Sequence, residues 1–169
     1  GRFGEAIKDF DRTITENPHN FHAWYQKGRA LFDLSNYTEA IDSYDHALEV
    51  ESNYPDAHYH KGLALSELGR YEEAILSFDQ ALESDPHLDG ALFHRGASLL
   101  KLERYREATQ AFDQALILLP RYAPAHHLKG VALAAQGLYH DSIDAYDRAL
   151  ECDPKSAESS LNKALSLHN

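Results

Sequence analysis

Residues 55–88 read PDAHYHKGLALSELGRYEEAILSFDQALESDPHL, and residues 89–122 read DGALFHRGASLLKLERYREATQAFDQALILLPRY. Laid over one another, they agree at Gly62 and Gly96, Leu65 and Leu99, Tyr71 and Tyr105, Ala74 and Ala108, Phe78 and Phe112, and Ala81 and Ala115, always 34 residues apart. The register extends outward in both directions. Tyr37 and Tyr139 join the tyrosine column, preceded by Phe3; Gly28 and Gly130 join the glycine column, continued by Ala164. Leu31, Leu133 and Leu167 extend the leucine column, and Ala47 and Ala149 the last alanine column. The chain is read as one repeat domain, 1–169, with full units 21–54, 55–88, 89–122 and 123–156, a partial leading repeat 1–20 and a partial trailing helix 157–169. In such an array each unit buries its apolar face against the next.

Within a unit the periodicity is helical throughout. Trp24, Gly28 and Leu31 share one face of a first helix over about 21–34, and Tyr37, Ala40, Tyr44, Ala47 and Leu48 form the stripe of a second over about 37–50. The breaks between helices hold Gly69 and Gly137, where a positive φ ends a helix readily, but Ser35 and Glu103 stand in the same column. Pro18, Pro86, Pro120 and Pro154 fall between units, near helix starts that tolerate a missing N–H. The glycine column and Ala40, Ala74 and Ala108, with Ser142, let the two helices of a unit approach closely. The rings of Tyr44, Phe78, Phe112 and Tyr146 are expected to fill the space between units. The fold class is an all-α solenoid of antiparallel helix pairs.

Composition narrows the function classes. With 16 Lys plus Arg against 27 Asp plus Glu, the formal charge is −11, which lacks the basic footprint of nucleic-acid binding or attraction to anionic membranes. No apolar run is long enough to span a bilayer. One cysteine, Cys152, excludes an internal disulfide and sits on the apolar side of its helix, where an inert core thiol is expected. The chain starts in mid-pattern, so the native N-terminus is expected upstream; a cytoplasmic setting is favoured.

These repeats resemble the tetratricopeptide repeat family. The resemblance rests on Trp24, Gly28, Leu31, Tyr37, Ala40, Tyr44 and Ala47, with counterparts in the later full units, and it covers the whole chain; its departures are Thr13 and Ser142 where Ala is expected, and His58, Leu92 and His126 in the Trp24 column, which varies in the family. It implies a right-handed superhelix whose first helices line a concave groove. The groove positions it carries over are Tyr25, Arg29, Phe32 and Asp33; Tyr59, Leu63, Ser66 and Glu67; Phe93, Ala97, Leu100 and Lys101; and His127, Val131, Ala134 and Ala135. A ladder of Tyr25, Tyr59 and Phe93 suits peptide binding, because aromatic surface gives large contact at small entropy cost. The Lys and Asn of the chaperone-tail clamp found in one subtype are replaced by Tyr25 and Arg29, and by Tyr59 and Leu63, so that ligand is disfavoured.

Two charged columns recur alongside the apolar ones. Asp11, Asp45, Asp79, Asp113 and Asp147 lie on second helices, and Lys27, Lys61, Arg95, Lys129 and Lys163 on first helices. Each acid is expected to pair forward with the base of the next unit, since all ten residues then find partners, and Asp79–Arg95 gains the guanidinium fork. The eleven histidines show no ligand spacing: His58 and His60 diverge on their helix, as do His126 and His127. No nucleophile, base and orienter are fixed together, and no glycine-rich phosphate loop is present. Neither enzymatic activity, a cofactor nor a metal is expected. The function the sequence favours is a protein- or peptide-binding scaffold using the concave groove. Its alternative is a self-assembling repeat array with end-to-end association.

Overall fold

The computed structural model describes residues 2–168, with side chains from residue 4 onward. Gly1 and Asn169, the outermost residues of the two partial repeats, and the Phe3 side chain that heads the tyrosine column lie outside the described residues. Ten helices and no strand form among the described residues: α1 (Arg2–Glu16), α2 (Phe21–Asp33), α3 (Tyr37–Val50), α4 (Pro55–Glu67), α5 (Tyr71–Ser84), α6 (Asp89–Lys101), α7 (Tyr105–Leu118), α8 (Ala123–Ala135), α9 (Tyr139–Cys152) and α10 (Ala157–His168). The even-numbered helices are the first helices of their units, and the odd-numbered ones the second. The chain divides into two compact units, 1–86 holding α1–α5 and 87–169 holding α6–α10. Within each unit every helix packs on the next in sequence, the nearest-neighbour packing of a repeat array.

The turns from first to second helix share one geometry. Ser35, Gly69, Glu103 and Gly137 have φ of 61°, 74°, 58° and 76°. The following amide reaches back to the leucine column, from Asn36 to Leu31, Arg70 to Leu65, Arg104 to Leu99 and Leu138 to Leu133, at 2.9–3.0 Å. This six-to-one bond is the Schellman motif, which satisfies otherwise orphaned carbonyls. The backbone therefore demands the left-handed conformation in every unit, while the sequence supplies glycine in only two.

The core is built of rings laid on glycines. Tyr44, Phe78, Phe112 and Tyr146 are 0–2% exposed. A Cβ on Gly28, Gly62, Gly96 or Gly130 would lie 2.5, 2.6, 2.8 or 2.6 Å from the ring of the second helix in the same unit. The rings expected to fill space between units thus also occupy the space that glycine vacates within one. Tyr44 still reaches the next repeat, its centroid 6.2 Å from that of His60. Alanines 40, 74 and 108 and Ser142, all fully buried, keep the helices close. At the end of unit 87–169, α10 buries Ser159 and Ser166 but leaves Leu161, Leu165 and Leu167 more than half exposed. Ser142, standing where alanine is usual, accepts this arrangement by bonding its hydroxyl to Ser166 Oγ at 2.9 Å.

Candidate functional site

In unit 1–86 the candidate surface is carried by α2 and α4, which lie side by side. Tyr25 is not a groove residue: it is 4% exposed. Tyr54, in the linker before α4, closes edge-on over its ring at 5.0 Å, and His60 of α4 stands against it at 5.5 Å. Burial, with Asp56 nearby, pushes the Tyr25 hydroxyl up to about 12. The expectation that Tyr25 presents a ring to a ligand is therefore corrected, and the cause is an aromatic linker residue. Arg29 is exposed, with its guanidinium carbon 5.9 Å from the Tyr25 ring centre. Phe32 is half-buried edge-on to Tyr37 at 5.3 Å. Tyr59 is half-buried, 6.1 Å from Phe78, and Leu63 and Ser66 are also half-buried on the same helix.

In unit 87–169 the equivalent surface belongs to α6, α8 and α10, with α8 between the other two. Phe93 is half-buried, its ring 5.0 Å from Tyr122 and 6.0 Å from Phe112. Tyr122 holds the linker position that Tyr54 holds one unit pair earlier. Ala97, Leu100, Val131 and Ala134 are partly exposed, and Lys101 and Ala135 are exposed. His127 is half-buried: its Nδ1 lies 2.9 Å from Ser159 Oγ, and Nε2 is 4.0 Å from the Glu158 carboxylate. Burial lowers the His127 pKa more than Glu158 raises it. Sequence reasoning passed over Tyr54 and Tyr122, yet they are two periods apart with Leu88 between them, and that column was readable.

The charged columns lie elsewhere. Lys27 Nζ is 2.7 Å from Asp11 Oδ1, Lys61 2.5 Å from Asp45, Lys129 2.6 Å from Asp113, and Lys163 2.5 Å from Asp147. The lysines are 22–29% exposed and the aspartates 45–51%, so each bridge remains partly wet. Asp79 and Arg95 belong to different units. Lys27, Lys61, Lys129 and Lys163 are each engaged by a carboxylate and do not form an open cationic stripe.

Among the described residues no group of three or more His, Cys, Asp or Glu side chains could hold a metal ion. No helix is long and apolar enough to cross a membrane. His126 and His58 spend Nε2 on backbone carbonyls, at 2.9 Å from Pro120 O and 3.0 Å from Ser52 O. Cys152 is half-buried rather than fully enclosed.

A sequence family described as tetratricopeptide repeat matches residues 1–49, 25–89 and 93–157. No curated protein matches the chain in sequence. Among solved structures, the MamA protein is 21% identical with a TM-score of 0.87, over 94% of this chain and 86% of that one. YrrB, described as a TPR protein with an unusual peptide-binding site, is 24% identical with a TM-score of 0.85, over 94% and 82%. The first TPR of Spaghetti (RPAP3), bound to the HSP90 peptide SRMEEVD, is 22% identical with a TM-score of 0.66, over 68% and 90%. At these identities the likeness is one of fold.

Proposed function

Because the chain belongs to the tetratricopeptide repeat family, we propose that it is a protein- or peptide-binding scaffold whose ligand lies on the first helices. The observation that carries this reading is the partly exposed apolar surface of those helices. Phe32, Tyr59 and Leu63 in one unit, and Phe93 and Leu100 in the other, remain partly exposed after the ring-on-glycine core is built. Arg29 and Lys101, both exposed, flank these side chains and tune the charge of what they accept. His127 sets the polar edge on α8, while Tyr25 supports the surface from beneath. Neighbouring folds described with a peptide-binding site, as YrrB is, or with a bound peptide, as the Spaghetti domain is, favour the same use of the fold here. The Spaghetti domain's chaperone peptide is not carried over, because Arg29 and Leu63 cannot replace the Asn of a carboxylate clamp.

The test is selection of binders from a displayed random-peptide library, followed by affinity measurement on Tyr59→Ala and Leu100→Glu. Loss of about 1–3 kcal/mol at Tyr59, the size of a buried aromatic anchor, is expected with the fold intact. Undiminished binding by both variants contradicts the reading.

A second reading, end-to-end self-association, is favoured by the exposed leucines of α10 and by a cavity of about 470 Å³ beside them, lined by Leu138, Tyr139, Ile143 and Leu167. Sedimentation at several concentrations tests it: a mass that rises with concentration is expected, and a constant mass removes it.

A further inference from the structure

We propose that the first-helix face of unit 87–169 takes an aliphatic, base-flanked segment: an amphipathic helix of a partner protein with Leu, Ile or Val on one side and Lys or Arg beside them. This rests on the scaffold reading above and adds the chemistry of the ligand.

The residues of that face differ from those of the equivalent face in unit 1–86. At three register positions of its first helices, unit 1–86 carries Arg29 and Leu63, Phe32 and Ser66, and Asp33 and Glu67; Arg29, Asp33 and Glu67 are charged and exposed. At the same positions unit 87–169 carries Ala97, Val131 and Leu165, Leu100 and Ala134, and Lys101 and Ala135; Lys101 is the one charged residue among them, and Leu165 is 55% exposed. Helix α8 reads APAHHLKGVALAA, and its one charged residue, Lys129, is bound to Asp113 at 2.6 Å. The histidines do not restore charge. His127 Nδ1 lies 2.9 Å from the Ser159 hydroxyl oxygen, and burial lowers the pKa of both His94 and His127 below the ordinary value, which disfavours their charged forms. Helix α8 packs beside α6 and beside α10, so the strip runs uncharged from Lys101 on one side to Glu158 on the other. Glu158, 87% exposed, puts a carboxylate at that edge.

An uncharged aliphatic strip selects apolar side chains and rejects charged ones, which would lose their water without gaining a partner. Alanines at 97, 134 and 135 leave it shallow, so a helix backbone can approach closely and insert side chains at i, i+3, i+4 and i+7. Charge decides what stands beside those side chains. The chain carries a formal −11, so a second copy or an acidic segment meets repulsion, whereas basic flanks are drawn in and meet Glu158.

The probe is a fluorescein-labelled 15-residue helical peptide with Leu at i, i+3, i+4 and i+7 positions and Lys elsewhere. Two relatives accompany it, one with Glu for Lys and one with Ser for Leu. Anisotropy titration against the full chain should show binding by the Leu/Lys peptide, at least tenfold weaker binding by the Leu/Glu peptide, and loss with the Ser/Lys peptide. Val131→Glu should weaken the Leu/Lys peptide at least tenfold, and Ile117→Glu, on the second helix α7 and 77% exposed, less than twofold. Ala135→Glu serves as the second variant where circular dichroism finds Val131→Glu less folded. Equal binding of the Ser/Lys peptide, or no effect of either Glu variant, overturns the proposal. Library-selected polar peptides that protect α6 and α8 from hydrogen exchange, yet ignore Val131→Glu, overturn the ligand class and leave the scaffold reading standing. Protection confined to second helices removes both.

Discussion

The ring of Tyr44 lies so close over Gly28 that a Cβ on the glycine would come within 2.5 Å of the ring carbon Cε1. The same relationship recurs at Gly62 with Phe78, Gly96 with Phe112 and Gly130 with Tyr146, at 2.6, 2.8 and 2.6 Å. No real Cβ is tolerated at such distances, and the rings are too enclosed to move away freely. Gly62→Ala should therefore destabilise the protein by about 1–3 kcal/mol through overpacking. Gly96→Ala should cost less, because its ring stands farther off. Urea unfolding of the two variants checks both the size and the order. Ala164, at the same register position in α10, is exposed, so alanine is tolerated there.

The four left-handed turn residues give a prediction of opposite sign. Ser35 and Glu103 hold φ of 61° and 58°, a conformation that costs an L-residue roughly 1–2 kcal/mol. Glycine removes that strain but loses more chain entropy on folding, about 0.5–1 kcal/mol. Ser35→Gly and Glu103→Gly should each stabilise by about 0.5–1 kcal/mol, the net of those two effects. Gly69→Ala should destabilise by about 1 kcal/mol. Thermal unfolding midpoints that move the other way would reject the account of these turns.

The forward ion pairs should matter little to stability. Lys61 and Asp45 sit 2.5 Å apart but remain 25% and 45% exposed, so water screens much of their attraction. A double-mutant cycle with Lys61→Ala and Asp45→Ala should give a coupling of about 0.2–1 kcal/mol, shrinking as salt is added. Their regular spacing assigns them to register instead. A coupling that does not change with salt would show that the pair is less solvated than its exposure implies.

Acid should loosen the stack. Burial lowers the pKa of His60, despite the backbone carbonyl of Asp56 that favours its proton, and likewise lowers His127. With a depressed folded pKa, the unfolded chain binds more protons below about 6.5, the ordinary histidine value. Stability is then fully present above that pH and is lost as pH falls through it. The urea midpoint should drop between pH 7.5 and 5.5. His60→Gln and His127→Gln should each flatten that dependence, and an unchanged slope in both would contradict it.

The fold was legible because one period imposed itself on many residue types at once. Tyr37, Gly28, Leu31 and Ala47 head four of those columns, and the helices they announce begin and end within a residue or two of their expected places. Forward pairing of Asp11, Asp45, Asp113 and Asp147 could also be read, since Asp11 and Lys163 have partners only in that register. The surface was harder to read. Tyr25, Tyr59 and Phe93 share a column, but exposure depends on what the following linker places above the ring. Tyr54 covers Tyr25, and Tyr122 lies beside Phe93. Ser159 shows the same limit: its hydroxyl meets His127 from 32 residues away, and nothing local announces that bond.

The central claim is that ligands lie on the first helices. It is tested most directly by hydrogen exchange of the full chain with and without a saturating library-selected peptide. The account predicts added protection in 55–67, 89–101 and 123–135, the spans of α4, α6 and α8. Protection concentrated instead in 71–84, 105–118 and 139–152, the spans of α5, α7 and α9, would contradict it.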